Sequence, residues 1–287
     1  MSLKQVLHPS NRRVRYLVGL LLVGLFCIQC ISVDTASRVV IAKSQDADPK
    51  AAAQKVVDLA KTDQIALLKY CLDHYNGTYR DYTCTLIKQE RISGVLGAEQ
   101  EVQAKYKEKP FSVAMHWTKN APLGDRVLYV EGKNDNNMLV RPANKFLLLL
   151  AGGPVSRKPD GAEAMRSTLR PVNLFGFRRG MEELIKVYCE ARDAGHLKEA
   201  FGGFADVAGR KTVVIERYLP AAGNYPAWKT LLYIDLELLV PVCIEGYDWD
   251  KQLSSRYVFE NVRFNTGLTD DDFLPEANDM KAAPAKK

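Results

Sequence analysis

Between Asp81 and Trp117 apolar side chains fall on every second residue in three successive runs, and a period of two belongs to strands with one buried face. In the first run Tyr82, Cys84 and Leu86 alternate with Asp81, Thr83 and Thr85. In the second, Val102, Ala104 and Tyr106 alternate with Glu101, Gln103, Lys105 and Lys107, and in the third Phe111, Val113, Met115 and Trp117 are separated by Ser112, Ala114 and His116. Gly94 and Gly97 break the first run from the second, and Lys109-Pro110 breaks the second from the third. The pattern predicts an antiparallel meander with one wet face and one aromatic, apolar face, which must be covered by helices or by a ligand.

The rest of the chain supplies those helices and a second set of strands. Pro49 suits the first turn of a helix, and apolar residues from Val56 to Tyr75 recur near the helical period until Asn76-Gly77. After the meander, Asp125 to Val130 and Asn137 to Arg141 read as a hairpin about a turn rich in Gly, Asn and Asp. Phe146 to Leu150 is apolar throughout and fits either a buried strand or an apolar lid. Ser156 to Asn173 is basic and proline-punctuated, a connection. From Gly180, the spacing of Met181, Leu184, Ile185, Tyr188 and Cys189 predicts a second helical layer. Strands follow at Lys211 to Tyr218, Lys229 to Asp235, Val240 to Tyr247 and Leu253 to Phe264, and then a turn anchored by Phe273. The expected organisation is a targeting segment over 1–35, a linker over 36–50, one α+β domain over 51–276 and a disordered Lys- and Ala-rich tail over 277–287.

The targeting segment is read from Arg12, Arg13 and Arg15 preceding the apolar run Leu17 to Val33, the pattern of a cleaved export signal or a retained N-terminal membrane anchor. Cys27 and Cys30 lie inside that run, so a redox Cys-x-x-Cys has no fold around it, and neither is preceded by the small residue that lipidation requires. Export implies an oxidising compartment, where Cys71, Cys84, Cys189 and Cys243 allow three pairings or remain buried thiols. About half of the formal charge of +6 lies in the first 35 residues. The remainder is too small and too scattered for nucleic-acid binding.

No catalytic signature stands out. His74, His116 and His196 have no partner at metal-ligand spacing, and His116 belongs to the wet face of its strand. Asp248 and Asp250 open like a calcium loop, but Leu253 stands where the loop needs Gly and Phe259 where it needs Glu. The Asp270 to Asp272 cluster reads as solvated charge, and no metal or cofactor is expected. Glu90, Glu216 and Glu245 lie in strands with no sign of an acid and base pair.

The stretches Tyr82 to Glu90, Val102 to Trp117, Asp235 to Tyr247 and Phe273-Leu274-Pro275 resemble, in their order around two helical segments, the periplasmic lipoprotein-carrier (LolA/LolB-like) superfamily. Within them Tyr82-Thr83-Cys84, Lys88-Gln89-Glu90-Arg91, Lys109-Pro110-Phe111-Ser112 and Tyr129-Val130-Glu131-Gly132 are similar to a family of secreted bacterial proteins, the domain of unknown function 1571. The resemblance implies a strongly curved antiparallel sheet, an incomplete β-barrel, covered by helices over an apolar cavity. The carriers have Arg-Pro where this chain has Lys109-Pro110, and a Lys lacks the planar, forked hydrogen bonding of Arg that a lid latch at that position would use. The leading expectation is an exported cell-envelope protein that binds a lipid, a lipoprotein acyl chain or another amphiphile without catalysis, with Tyr82, Leu86, Val102, Tyr106, Phe111, Val113, Met115 and Trp117 as lining. The bland counterpart is that these residues form a core under the helices. Two rivals stand beside it: an envelope scaffold or sensor with a filled core and a protein partner, and an exported hydrolase.

Overall fold

The computed structural model describes residues 48–122 and 124–280. The segments assigned above to export and to the linker, together with Cys27 and Cys30, lie almost wholly outside the described residues.

Helix α1 (Pro49–Thr62) opens as its proline predicts, with the Asp48 carboxylate accepting from the Lys50 amide at 3.0 Å. Asp63 ends it and caps α2 (Gln64–Thr78) by accepting from the Ala66 amide at 2.9 Å. One face of α2 buries Leu67, Leu68, Cys71 and Tyr75.

The meander then runs through β1 (Asp81–Ile92), the two-residue β2 (Val95–Leu96), β3 (Gln100–Lys107), β4 (Ser112–Lys119), β5 (Gly124–Val130) and β6 (Met138–Pro142). A short helix, α3 (Lys145–Ala151), leads to β7 (Val155–Arg157). An irregular connection with two short 3-10 turns reaches α4 (Phe177–Asp193). Five strands complete the sheet: β8 (Lys198–Val207), β9 (Arg210–Tyr218), β10 (Lys229–Asp235), β11 (Pro241–Tyr247) and β12 (Leu253–Phe264).

All twelve strands form one antiparallel sheet in the order β7-β6-β5-β4-β3-β1-β12-β11-β10-β9-β8, with β2 on the end of β1. The sheet is therefore two meanders joined where β12 returns to pair with β1, and it is not closed, since β7 and β8 are its edges. A single buried cluster takes Tyr82, Tyr106 and Val113 from one meander, Val213, Ile215, Leu232 and Ile234 from the other, and Leu68, Tyr75, Met181 and Tyr188 from α2 and α4. One core shared by both halves requires the sheet to wrap around the helices. This is the incomplete barrel that the resemblance implied.

Several details differ from the sequence expectation, and one is that Phe146 to Leu150, read there as a buried strand or an apolar lid, lies in helix α3 with no buried side chain. Helix α4 starts at Phe177, three residues before Gly180, and its buried stripe is Phe177, Met181, Leu184, Tyr188 and Ala191. Strand β8 has no counterpart in the expectation: it is an edge strand, mostly exposed, and Gly202-Gly203 interrupts its pattern. At Met280, inside the segment expected as a tail, the chain is still packed, buried beside Phe273, Leu128 and Ala114 against the outer face of the sheet. Cys71, Cys84, Cys189 and Cys243 are all free thiols, and burial pushes those of Cys71, Cys84 and Cys243 up to about 12, so they act as small apolar core residues. Among the described residues no helix is long and apolar enough to cross a membrane.

Candidate binding cavity

Strand register sorts the aromatic face of the meander into rows. Tyr82 lies opposite Tyr106, and Tyr106 opposite Val113; Cys84, Ala104 and Met115 form the next row; Leu86, Val102 and Trp117 form the third. In the first row Tyr82 and Tyr106 stack with ring centroids 4.7 Å apart, Phe111 meets Tyr106 edge-on at 5.5 Å, and Phe177 of α4 closes over Tyr82 at 5.0 Å. That end of the face is core.

Helices α1 and α2 do not reach the third row, and α4 reaches it only with Gly180. There the sheet, α3 and the connection before α4 line a half-open cavity of about 550 Å³, within the range of small-molecule sites. Strands β1 and β4 contribute Leu86, Met115 and Trp117; β5 and β6 contribute Val127, Met138 and Val140; β11 and β12 contribute Ile244, Tyr257 and Phe259. From above come Pro171, Val172, Leu174 and Phe175 of the connection, with Leu147 and Leu150 of α3 and Val155 of β7. The lining is thus mostly aliphatic and aromatic.

Of the residues singled out in the sequence, Leu86, Met115 and Trp117 stand on the cavity wall. Tyr82, Tyr106, Phe111 and Val113 belong to the core under α2 and α4. Val102, between Leu86 and Trp117 in the third row, is fully buried in a small cluster with Leu86 and Tyr257 and does not line the cavity. Tyr257 and Phe259 were open to the same reasoning, because they alternate along β12 and lie opposite Lys88 and Leu86 of β1. Phe175 comes from an irregular segment and carries no periodic signal.

One polar cluster is set into this wall. The Lys88 ammonium lies 2.9 Å from Glu90 Oε2, with side-chain exposures of 9% and 2%, and donates to Thr168 Oγ1 at 3.1 Å. Tyr257 donates to Glu90 Oε1 at 2.6 Å. Burial, with the Glu90 charge beside it, raises the Tyr257 hydroxyl above its ordinary range, so it stays protonated and keeps donating. The Lys88 contact to Oε2 is an ion pair without hydrogen-bond alignment, and Oε2 has no other partner. Thr168 lies in the connection, so the cluster ties the roof of the cavity to β1. Arg166 and Arg170 add exposed positive charge at the rim, and the Arg170 guanidinium stands 5.5 Å from the Tyr257 ring centre.

Glu90, His116 and Glu245 do not converge. Glu90 is in the cavity wall; His116 faces the other side of β4, where burial and nearby Arg126 lower its pKa; Glu245 accepts from Arg256 at 3.1 Å and Tyr247 at 2.9 Å. Among the described residues no three His, Cys, Asp or Glu side chains group as a metal site.

A protein-family model described as "Protein of unknown function (DUF1571)" matches residues 79–282, from the end of α2 through the last 3-10 turn. The chain belongs to this family. No curated protein matches the sequence. Solved structures similar to this DUF1571 protein include MucB, at 14% identity and a TM-score of 0.44 over 74% of this chain and 63% of MucB. Another is the Pseudomonas aeruginosa MucA/MucB complex, at 13% and 0.44, over 76% of this chain and 63% of that one. A putative outer membrane lipoprotein-sorting protein domain from Vibrio parahaemolyticus matches at 12% and 0.37, over 75% of this chain and 97% of its own. The DUF1571 chain spans 63% of the MucB chain it matches. At these distances the cavity has to be interpreted from the geometry of this chain itself.

Proposed function

We propose that this DUF1571 protein is a non-catalytic binding protein of the cell envelope that takes the acyl chain of a lipid, an acylated protein or another amphiphile into the cavity over the third row. The observation that carries the proposal is the cavity itself: about 550 Å³ of space bounded by Leu86, Met115, Trp117, Phe175 and Phe259 on the same strand face whose first row, Tyr82 and Tyr106 under Phe177, is tightly packed. A chain entering such a space leaves water, at about 0.8 kcal/mol per buried methylene, before the costs of ordering are subtracted. The Lys88–Glu90–Tyr257 cluster supplies one polar spot in an apolar surface, the arrangement by which a site orients an amphiphile. The export pattern of Arg12 to Val33 supports the location.

The test is mass spectrometry of an organic extract of the purified protein, followed by titration with a fluorescent fatty acid. A stoichiometric lipid in the extract, or saturable uptake of the probe accompanied by a change in Trp117 emission, is the expected result. A clean extract together with no uptake would overturn the proposal and favour a scaffold whose partner is another protein.

A further inference from the structure

Ten large hydrophobic side chains stand exposed among the described residues, and six of them fall between residues 146 and 174: Phe146, Leu147, Leu149, Leu150, Leu169 and Leu174. Single exposed hydrophobics need no explanation, but a cluster of this kind marks a contact surface. Its centre is α3. Asn144 caps that helix, accepting from the amides of Phe146 and Leu147 at 2.8 and 3.3 Å, and Gly152 ends it at φ 72°, so the backbone presents these side chains from a defined turn. Leu147 and Leu150 face the cavity; Phe146 and Leu149 lie outside its lining and are 70% and 74% exposed.

The charge around this tip has one prevailing sign. Residues 145–170 carry Lys145, Arg157, Lys158, Arg166 and Arg170, all exposed, against Asp160 and Glu163, and Glu163 is engaged by Arg157. A cluster of leucines and a phenylalanine flanked by basic residues is the chemistry of a segment that lies in the headgroup region of an anionic bilayer. Protein contact surfaces concentrate their energy in Trp, Tyr and Arg, with Leu under-represented, so the composition of the tip favours lipid over a protein partner.

We propose that α3 is a bilayer-docking lip, with Phe146 and Leu149 seated among the acyl chains of an anionic lipid surface and the neighbouring basic residues held by the headgroups. The lip is continuous with the cavity through Leu147 and Leu150, so an amphiphile passes between bilayer and cavity along an apolar path. The docking surface stands on α3 and its charged surroundings and does not depend on the cargo proposed above.

The experiment uses the full chain carrying Leu149→Trp, mixed with vesicles containing brominated acyl chains. One vesicle set is phosphatidylcholine with phosphatidylglycerol, and the other is phosphatidylcholine alone. Leu274→Trp, at an exposed site in the turn after β12, reports any general recruitment of the protein by its N-terminal segment. The added emission of Leu149→Trp should shift to the blue and lose most of its intensity to bromine. The loss should be several-fold greater with phosphatidylglycerol and should shrink as salt is added. Leu274→Trp should change little. An unquenched Leu149→Trp, equal quenching at both positions, or no dependence on the anionic lipid would each overturn the proposal. Position 149 is largely exposed, so the substitution leaves the fold intact, and an unchanged circular dichroism spectrum checks this.

Discussion

Gly176 shows how much a single residue decides where core ends and cavity begins. Its φ of 110° is open only to glycine at low cost, and a Cβ there would lie 2.5 Å from Cε2 of Tyr106. Tyr106 cannot yield, because it is fully buried and stacked on Tyr82. The chain therefore turns from Phe175, in the cavity roof, to Phe177, in the core, through the one residue that fits. Gly176→Ala should destabilise the protein by about 1–3 kcal/mol, from overpacking and backbone strain together. Urea unfolding measures this, and an unchanged midpoint would mean that the turn relaxes freely. Arg217 is the converse case at this scale: parity with Val213 and Ile215 turns it inward, where it donates to Thr230 Oγ1 at 2.8 Å and faces the Tyr188 ring at 5.0 Å. Burial lowers its pKa, and its Nε and Nη1 have no protein partner.

At the scale of elements, the sequence was legible wherever a period ran for three or more residues on one side. Tyr82, Leu86, Val102, Tyr106, Val113 and Trp117 share the one apolar face of an antiparallel meander that the alternation implied, while their pairing into rows comes from the register alone. Strand β8 was hidden because an edge strand need not alternate cleanly, and α3 because Phe146 to Ala151 is apolar throughout and so has no period at all. Irregular registers were equally silent. Between Gly124 and Arg126 of β5 the pairing with β6 slips, and Asp125 at that slip receives two hydrogen bonds from Arg141, at 2.9 and 2.6 Å. Burial alone would raise the Asp125 pKa, but the Arg141 hydrogen bonds and charge outweigh it and hold the carboxyl below its ordinary value. Since the folded value lies under the unfolded one, this stabilisation is complete above the unfolded carboxylate range and is lost as the pH falls through the folded value. Asp125→Asn should cost about 1 kcal/mol near neutrality, with solvent screening included, and should flatten the stability profile below about pH 4. Thermal melts across that range provide the measurement, and parallel profiles for the two proteins would count against the pair.

For the whole molecule, one continuous strand face serves as core at one end and as cavity wall at the other, and the alternation along the strands does not mark the boundary. The apolar alternation is the same in both halves; the cover differs, since α2 and α4 close over the Tyr82 row, whereas the Trp117 row meets α3 and the irregular connection. Two substitutions of the same kind separate the two environments. Val113 has no exposed surface and lies within the shared core, so Val113→Trp has no space to enter and should destabilise by about 1–3 kcal/mol, with any loss of binding following from the loss of fold. Met115, two residues along the same strand and on the same face, lines the cavity. In Met115→Trp the added ring projects into the cavity and takes volume from a ligand while displacing little of the core, so the unfolding midpoint should hold while uptake of a fluorescent fatty acid falls several-fold. Undiminished uptake by a folded Met115→Trp would place the acyl chain elsewhere. A fall in stability equal to that of Val113→Trp would mean that the third row is as filled as the first, and the scaffold reading would then account for the protein better than the carrier one.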